Sequence, residues 1–205
     1  MKHPAPRSAQ ADRLQIAREA ARILAEEGVR DFLLAKRKAA ERLGFDPHSR
    51  HLPGNREVEE ALAEHHRLFN AAGHSRRLQE LRAAAHRAML LLESFNPRLV
   101  GDVLSGLAAE HAPVQLHLFV DGPEQVAIHL LDRHIRYELD ERRLKQPRGA
   151  AQNYPMYRFA FGDAVIEAIV LPYDAIRHAP ASPVDGRPMR RAGLEEVEAL
   201  LEGHG

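Results

Sequence analysis

Glu167 is the residue in this 205-residue chain whose surroundings most demand chemistry. It is the lone carboxylate in Ala-Val-Ile-Glu-Ala-Ile-Val, a run that is otherwise apolar on both faces. A carboxylate in a central strand must pair with a cation, take up a proton or bind a ligand, because an unpaired buried charge is costly. An arginine such as Arg98 or Arg158 would satisfy it, and so would a ligand. A second group lies upstream. Gly101 and Gly106 bracket Asp102-Val-Leu-Ser105, and Gln115 and His117 stand two apart in the alternating stretch that follows. Glycine just after a strand marks either a sheet corner or a close backbone approach. Two basic clusters complete the candidates: Lys36-Arg37-Lys38, and Arg142, Arg143, Lys145 and Arg148.

The elements that must position these groups are legible as periodicities. Val114, Leu116, Leu118 and Val120 alternate with Gln115, His117 and Phe119, which predicts a half-buried strand. A short strand precedes Gly101. Downstream, Asp121-Gly-Pro-Glu124 has the form of a capping box with proline in the first turn, and it predicts a helix from Pro123 to about Arg133. Strands are expected at Ile135–Leu139, Met156–Phe161 and Ala164–Leu171, the last two joined by a Gly162-Asp163 hairpin. The charged segment from Asp140 to Asn153 reads as an exposed loop. A proline-rich arm follows Pro172, and Leu194–Leu201 closes the chain as a helix.

The front of the chain reads as helical. Ser8 or Asp12 would cap a first helix that runs to about Glu27, with Leu14, Ala17, Ala21 and Leu24 inward and Gly28 as its stop. Asp31 caps a second helix, Phe32–Leu43, whose inner side is Leu33, Leu34, Ala39 and Leu43. A third runs from Asn55 to about Phe69, with Val58, Leu62, Leu68 and Phe69 apolar. Gly73 would then break the chain, and Ser75 would cap a fourth helix whose Leu78, Leu81, Ala85, Met89 and Leu92 suit a sheet. The expected fold is α+β: an N-terminal helical region, 1–74, followed by a mixed or antiparallel sheet with flanking helices, 75–205, that carries an extended C-terminal arm.

The order of strand, glycine pair, alternating strand and later strand with a carboxylate resembles the nucleotidyltransferase fold of the DNA polymerase beta superfamily, over roughly Leu78 to Leu171. Gly101-Asp102 stands where that family has Gly-Ser, and Gly106 keeps its second glycine. Gln115-Leu116-His117 replaces its Asp-x-Asp, and Glu167 matches its third carboxylate. The resemblance implies a nucleoside triphosphate as ligand. Gly101 would approach it through its backbone, Ser105 would hydrogen-bond a phosphate oxygen, and Gly106 and Gln115 would line the site. Glu167, with Asp102 or His117, would be the catalytic group and would hold Mg²⁺ or another divalent metal. The family clusters carboxylates around two Mg²⁺ ions. Gln115 is a weak Mg²⁺ ligand and His117 prefers softer ions. The expectation is therefore nucleotide binding with a degenerate or altered metal site.

A second reading is a non-enzymatic nucleic-acid-binding or regulatory protein. Lys36, Arg37 and Lys38, with Arg142 and Arg143, would then contact phosphates. The same residues also suit solvated faces. Residues 1–97 carry 17 basic against 13 acidic groups and 98–205 carry 12 against 16, an asymmetry that permits nucleic-acid contact without demanding it. A third reading gives the proline-rich arm a protein partner. Cysteine is absent, so disulfides and thiolate metal sites are excluded. No apolar run reaches the ~18 residues of a transmembrane helix, and the opening Met-Lys-His-Pro-Ala-Pro-Arg-Ser lacks the apolar middle of a secretory signal. A cytoplasmic, bacterial-type protein without a membrane partner is expected. No P-loop, Gly-x-Gly-x-x-Gly or His-Glu-x-x-His occurs.

Overall fold

The structure, a computed structural model, describes residues 9–69, 71–147 and 149–203. The irregular stretch expected at 1–8, with Ser8 as a candidate cap, lies outside the described residues, as does Arg148 of the second basic cluster. The chain divides into two compact units, Met1–His74 and Ser75–Gly205.

Unit one is helical. Helices α1 (Ala9–Glu26), α2 (Phe32–Arg42) and α3 (Asn55–Phe69) form it, and α1 packs on both of the others. Alanines do most of the packing: Ala17, Ala20, Ala21, Ala35, Ala39 and Ala40 are all buried, and short side chains let helix backbones approach closely. Asp31 caps α2 as its sequence predicts, accepting the Leu34 N–H at 2.7 Å. The apolar stripes differ from expectation. Leu14, Leu33, Leu34, Leu68 and Phe69 are exposed, while Ile16, Ile23, Ala35 and Ala40 face inward. Ala17, Ala21, Leu24, Ala39, Val58 and Leu62 are buried as their stripes predict; alanine weighs little in a hydrophobicity pattern, so the edges of the stripes were drawn through leucines that point outward. Helix α4 (Ala71–Leu91) runs through Gly73, and Ser75 lies inside it. One glycine costs a helix about 1 kcal/mol, which a helix of this length absorbs.

Unit two is a five-stranded mixed sheet in the order β1-β2-β5-β4-β3, built from β1 (Arg98–Val100), β2 (Val114–Phe119), β3 (Glu138–Lys145), β4 (Ala151–Phe161) and β5 (Ala164–Leu171). Only the β2–β5 pair is parallel. A one-turn helix, α5 (Asp102–Ser105), follows β1, and α6 (Glu124–Asp132) follows β2. One face of the sheet is continuously apolar. Leu99, Leu116, Leu118, Ile166, Ala168, Val170, Tyr157 and Phe159 pack there with Leu78, Leu81, Ala85, Met89 and Leu92 of the α4 region, and with Val126 and Leu130 of α6.

The strand expected at Ile135–Leu139 starts only at Glu138, and two further expectations for this unit change. The segment from Asp140 to Asn153 is not a loop: most of it forms β3 and the start of β4, joined in a long hairpin. The sequence Glu-Leu-Asp-Glu-Arg-Arg-Leu-Lys hides its strand character because β3 is an edge strand, charged on both faces, a pattern that also discourages edge-to-edge pairing. Asp121 does not cap α6. Its carboxylate accepts the Tyr173 N–H at 3.0 Å, and Pro123 occupies the cap position without a side-chain bond.

The arm begins with a 3-10 turn, Tyr173–Arg177. Ala181 donates to the Lys145 carbonyl at 2.7 Å beside β3, a bridge joins Ala181 to Pro188, and Leu99 and Ala192 exchange two hydrogen bonds of 2.9 Å beside β1. The arm thus runs from one sheet edge to the other, and α7 (Leu194–Glu202) follows it.

Candidate functional site

Register decides which side chains meet on the second sheet face. Directly opposed residues of neighbouring strands share a face. One cross-strand row is Val100, Gln115, Glu167, Arg158 and Glu138; the next is Arg98, His117, Ile169, Met156 and Asp140. The face therefore has two halves. Phe119, Leu144, Tyr154, Met156, Ile169 and Leu171 form a small apolar cluster, against which Ala175 and Ile176 of the arm pack. Gln115, Glu167 and Arg158 form the polar half.

Glu167 is 1% exposed. The Gln115 side-chain amide donates to its Oε2 at 3.0 Å, and Arg158 Nη1 stands 3.9 Å from Oε1. Of the two arginines considered from sequence, Arg158 is the one that faces the carboxylate. Gly101 closes the corner with φ 72° and ψ −153°, a backbone region open essentially to glycine alone. A Cβ built on Gly101 would lie 2.4 Å from Gln115 Oε1, so the absence of a side chain is what lets Gln115 lie against this turn. Gln115 is fixed at both ends, its oxygen toward Gly101 and its nitrogen toward Glu167.

Gly101, Gln115 and Glu167 are thus brought into one contact set. Asp102 and Ser105 adjoin them on the exposed turn, where the Ser105 hydroxyl donates back to the Asp102 carbonyl at 3.3 Å. Gly106 ends α5 with φ 85°. His117 is not on the open half: it is fully buried. Burial, and secondarily the charge of Arg191, lower its pKa to about 3, so the ring is neutral. Its Nδ1 accepts from Arg191 Nε at 3.3 Å, which places the ring proton on Nε2. That Nε2 has no hydrogen-bond partner among the described residues.

Arg191 is the residue that sequence reasoning missed. Its Nη1 donates to the Ala175 carbonyl at 2.9 Å, and its guanidinium carbon lies 4.9 Å from the Phe119 ring centre. Burial, and secondarily Arg98, lower its pKa to about 10, which still leaves it charged near neutrality. Nothing in Pro-Met-Arg-Arg-Ala-Gly separates Arg191 from its neighbour Arg190, so no local signal could have found it.

The basic clusters are split among buried, ion-paired and exposed members. In α2, Lys36 is buried with its ammonium donating to Asn55 Oδ1 at 2.8 Å, and desolvation lowers its pKa. Lys38 pairs with Glu27 at 2.7 Å, and Arg37 is exposed. Arg142 and Arg143 are successive residues of β3, so they point to opposite faces.

The donor set does not fit the two-ion centre that the family resemblance implies. The buried carboxylate of the row, Glu167, faces an amide donor and a guanidinium, and the imidazole nitrogen that could bind a metal accepts from Arg191 instead. Among the described residues, no group of three or more His, Cys, Asp or Glu could hold a metal ion. No described helix is long and apolar enough to cross a membrane. No family model matches the chain, and no match was found among curated proteins or solved structures.

Proposed function

We propose that this chain is a nucleotidyltransferase-like, nucleotide-binding protein whose site is the corner formed by Gly101, Gln115 and Glu167, and that the site is altered away from two-metal transfer. One observation carries the reading. The parallel β2–β5 register sets Gln115 beside Glu167, and the turn at Gly101 packs against that same glutamine. Three residues far apart in sequence, each given a ligand-facing role by the family resemblance, share one contact set beside the exposed turn. On this reading Asp102 and Ser105 offer the phosphate-side contacts, and Glu167 orders Gln115. His117, buried and neutral beneath the arm, positions Arg191 and does not touch the ligand. A nucleoside triphosphate as ligand fits a cytoplasmic location. The nucleic-acid reading has lost most of its helical cluster, since Lys36 is buried and Lys38 is ion-paired.

The test is thermal stability against ATP, GTP, CTP and UTP, each with Mg²⁺, Mn²⁺ or chelator. A ligand at about 100 times its dissociation constant adds roughly 2.7 kcal/mol to stability. At least one nucleotide should raise the melting temperature, and Glu167→Ala should abolish that rise. If no nucleotide shifts the melting temperature under any condition, or if affinity is unchanged in Glu167→Ala, the assignment fails.

A further inference from the structure

Arg158 is the cationic group that faces the Glu167 carboxylate, and its surroundings are unusual for an ion pair. The side chain is 49% exposed while its partner is 2% exposed. The Nη1–Oε1 separation of 3.9 Å is beyond hydrogen-bond range, so the guanidinium neutralises the carboxylate at a distance without spending a donor on it. Arg158 makes no hydrogen bond to any other group among the described residues. Glu138, opposite it on β3, is exposed and forms no ion pair with it. A guanidinium carries five N–H donors in a rigid fork that matches a phosphate in bidentate fashion. Here that fork stands half in solvent, anchored through the sheet beside the Gln115–Glu167 pair. Arg98 and Arg191 add positive charge on the β1 side of the same face, Arg98 donating to the Pro97 carbonyl at 3.0 Å.

We infer that Arg158 holds the anionic part of the ligand at this corner in the role a divalent metal would otherwise fill, so that binding needs no metal ion. This rests on the nucleotide reading above and names the group that makes it metal-independent. Glu167 keeps the guanidinium in place from below, and Gln115 takes the carboxylate oxygen that Arg158 does not face. A metal ion would have to break the Gln115–Glu167 bond and sit against a guanidinium, which is electrostatically unfavourable. Free nucleotide, carrying its full negative charge, is then the preferred form, and magnesium competes by masking the phosphates.

Isothermal titration of the full chain with the nucleotide that shifts its melting temperature, in chelator and in excess Mg²⁺, decides the matter. Inorganic tripolyphosphate serves as competitor. Affinity in chelator should equal or exceed that in Mg²⁺, and tripolyphosphate should displace the nucleotide. Arg158→Ala should weaken binding at least tenfold in chelator, with Arg158→Lys in between because it keeps the charge and loses the fork. Arg158 is half-exposed, so these variants should keep the wild-type circular dichroism. Binding that requires Mg²⁺ overturns the inference and leaves the nucleotide reading standing. Binding in chelator that Arg158→Ala leaves unchanged overturns it equally. Absence of binding in both buffers sinks the nucleotide reading itself.

Discussion

His117 and Glu167 sit on adjacent strands of one sheet face, one cross-strand row apart, and both are buried, yet their environments are opposite. His117 lies in the half covered by the arm. There a base avoids the cost of burial by giving up its proton, and the neutral ring can accept from Arg191. Glu167 lies in the polar half, with an amide on one oxygen and a guanidinium opposite the other. The first arrangement uses a polar residue to fasten one segment to another. The second keeps a cation half in solvent with its donors unspent. Burial of an ionisable group thus marks a structural lock in one place and a candidate binding corner in the other. What separates them is whether the neighbouring arginine is used up.

The contrast can be broken from either side. The largest effect is expected at Arg191. Arg191→Met removes the bonds to His117 and to the Ala175 carbonyl and the contact with Phe119, and it should cost about 2–4 kcal/mol in denaturant unfolding. Protease sensitivity should rise first within the arm, between Tyr173 and Gly193. If arm cleavage and stability stay at wild-type levels, Arg191 is not the lock.

Gly101→Ala should come next, at about 1–3 kcal/mol for the strained backbone. Its added Cβ must also push Gln115 away from the turn. Nucleotide affinity should therefore fall by more than stability alone explains, whereas a loss confined to stability would separate Gly101 from the binding corner.

Taken per pH unit, the smallest effect is one of pH. His117 titrates near 6.5 when unfolded and at about 3 when folded. Between these values the unfolded chain holds a proton that the folded chain does not. Stability from this group is complete above pH 6.5, declines as pH falls toward 3, and declines no further below that, with a slope of about 1.4 kcal/mol per pH unit inside the window. Unfolding free energies measured from pH 7 to 4 should show this slope, flattened in His117→Gln. Parallel curves for the two proteins would mean that His117 is solvated in the folded state.

Much of this fold is written in local pattern. The alternation of Val114 to Val120, the cap at Asp31, the Gly162-Asp163 hairpin and the inward stripe of α4 follow from short-range rules that neighbouring residues satisfy by themselves. The oddity of Glu167 was equally visible, since a single charge in an apolar strand announces that something must meet it. Which residue meets it was not visible. That depends on the order β1-β2-β5-β4-β3 and on the registers that set Gln115 and Arg158 on either side of Glu167. The character of β3 was hidden for a related reason, because an edge strand charged on both faces carries no alternation to read. His117 could have faced solvent, ligand or core as far as its sequence tells. The arm decides, by bringing Arg191 across from the far end of the chain. Local sequence fixes what each segment can be, through backbone preference and the period of its apolar groups. Long-range pairing fixes which polar groups share a desolvated space, and with it which arginine is used up as a lock and which keeps donors for a ligand.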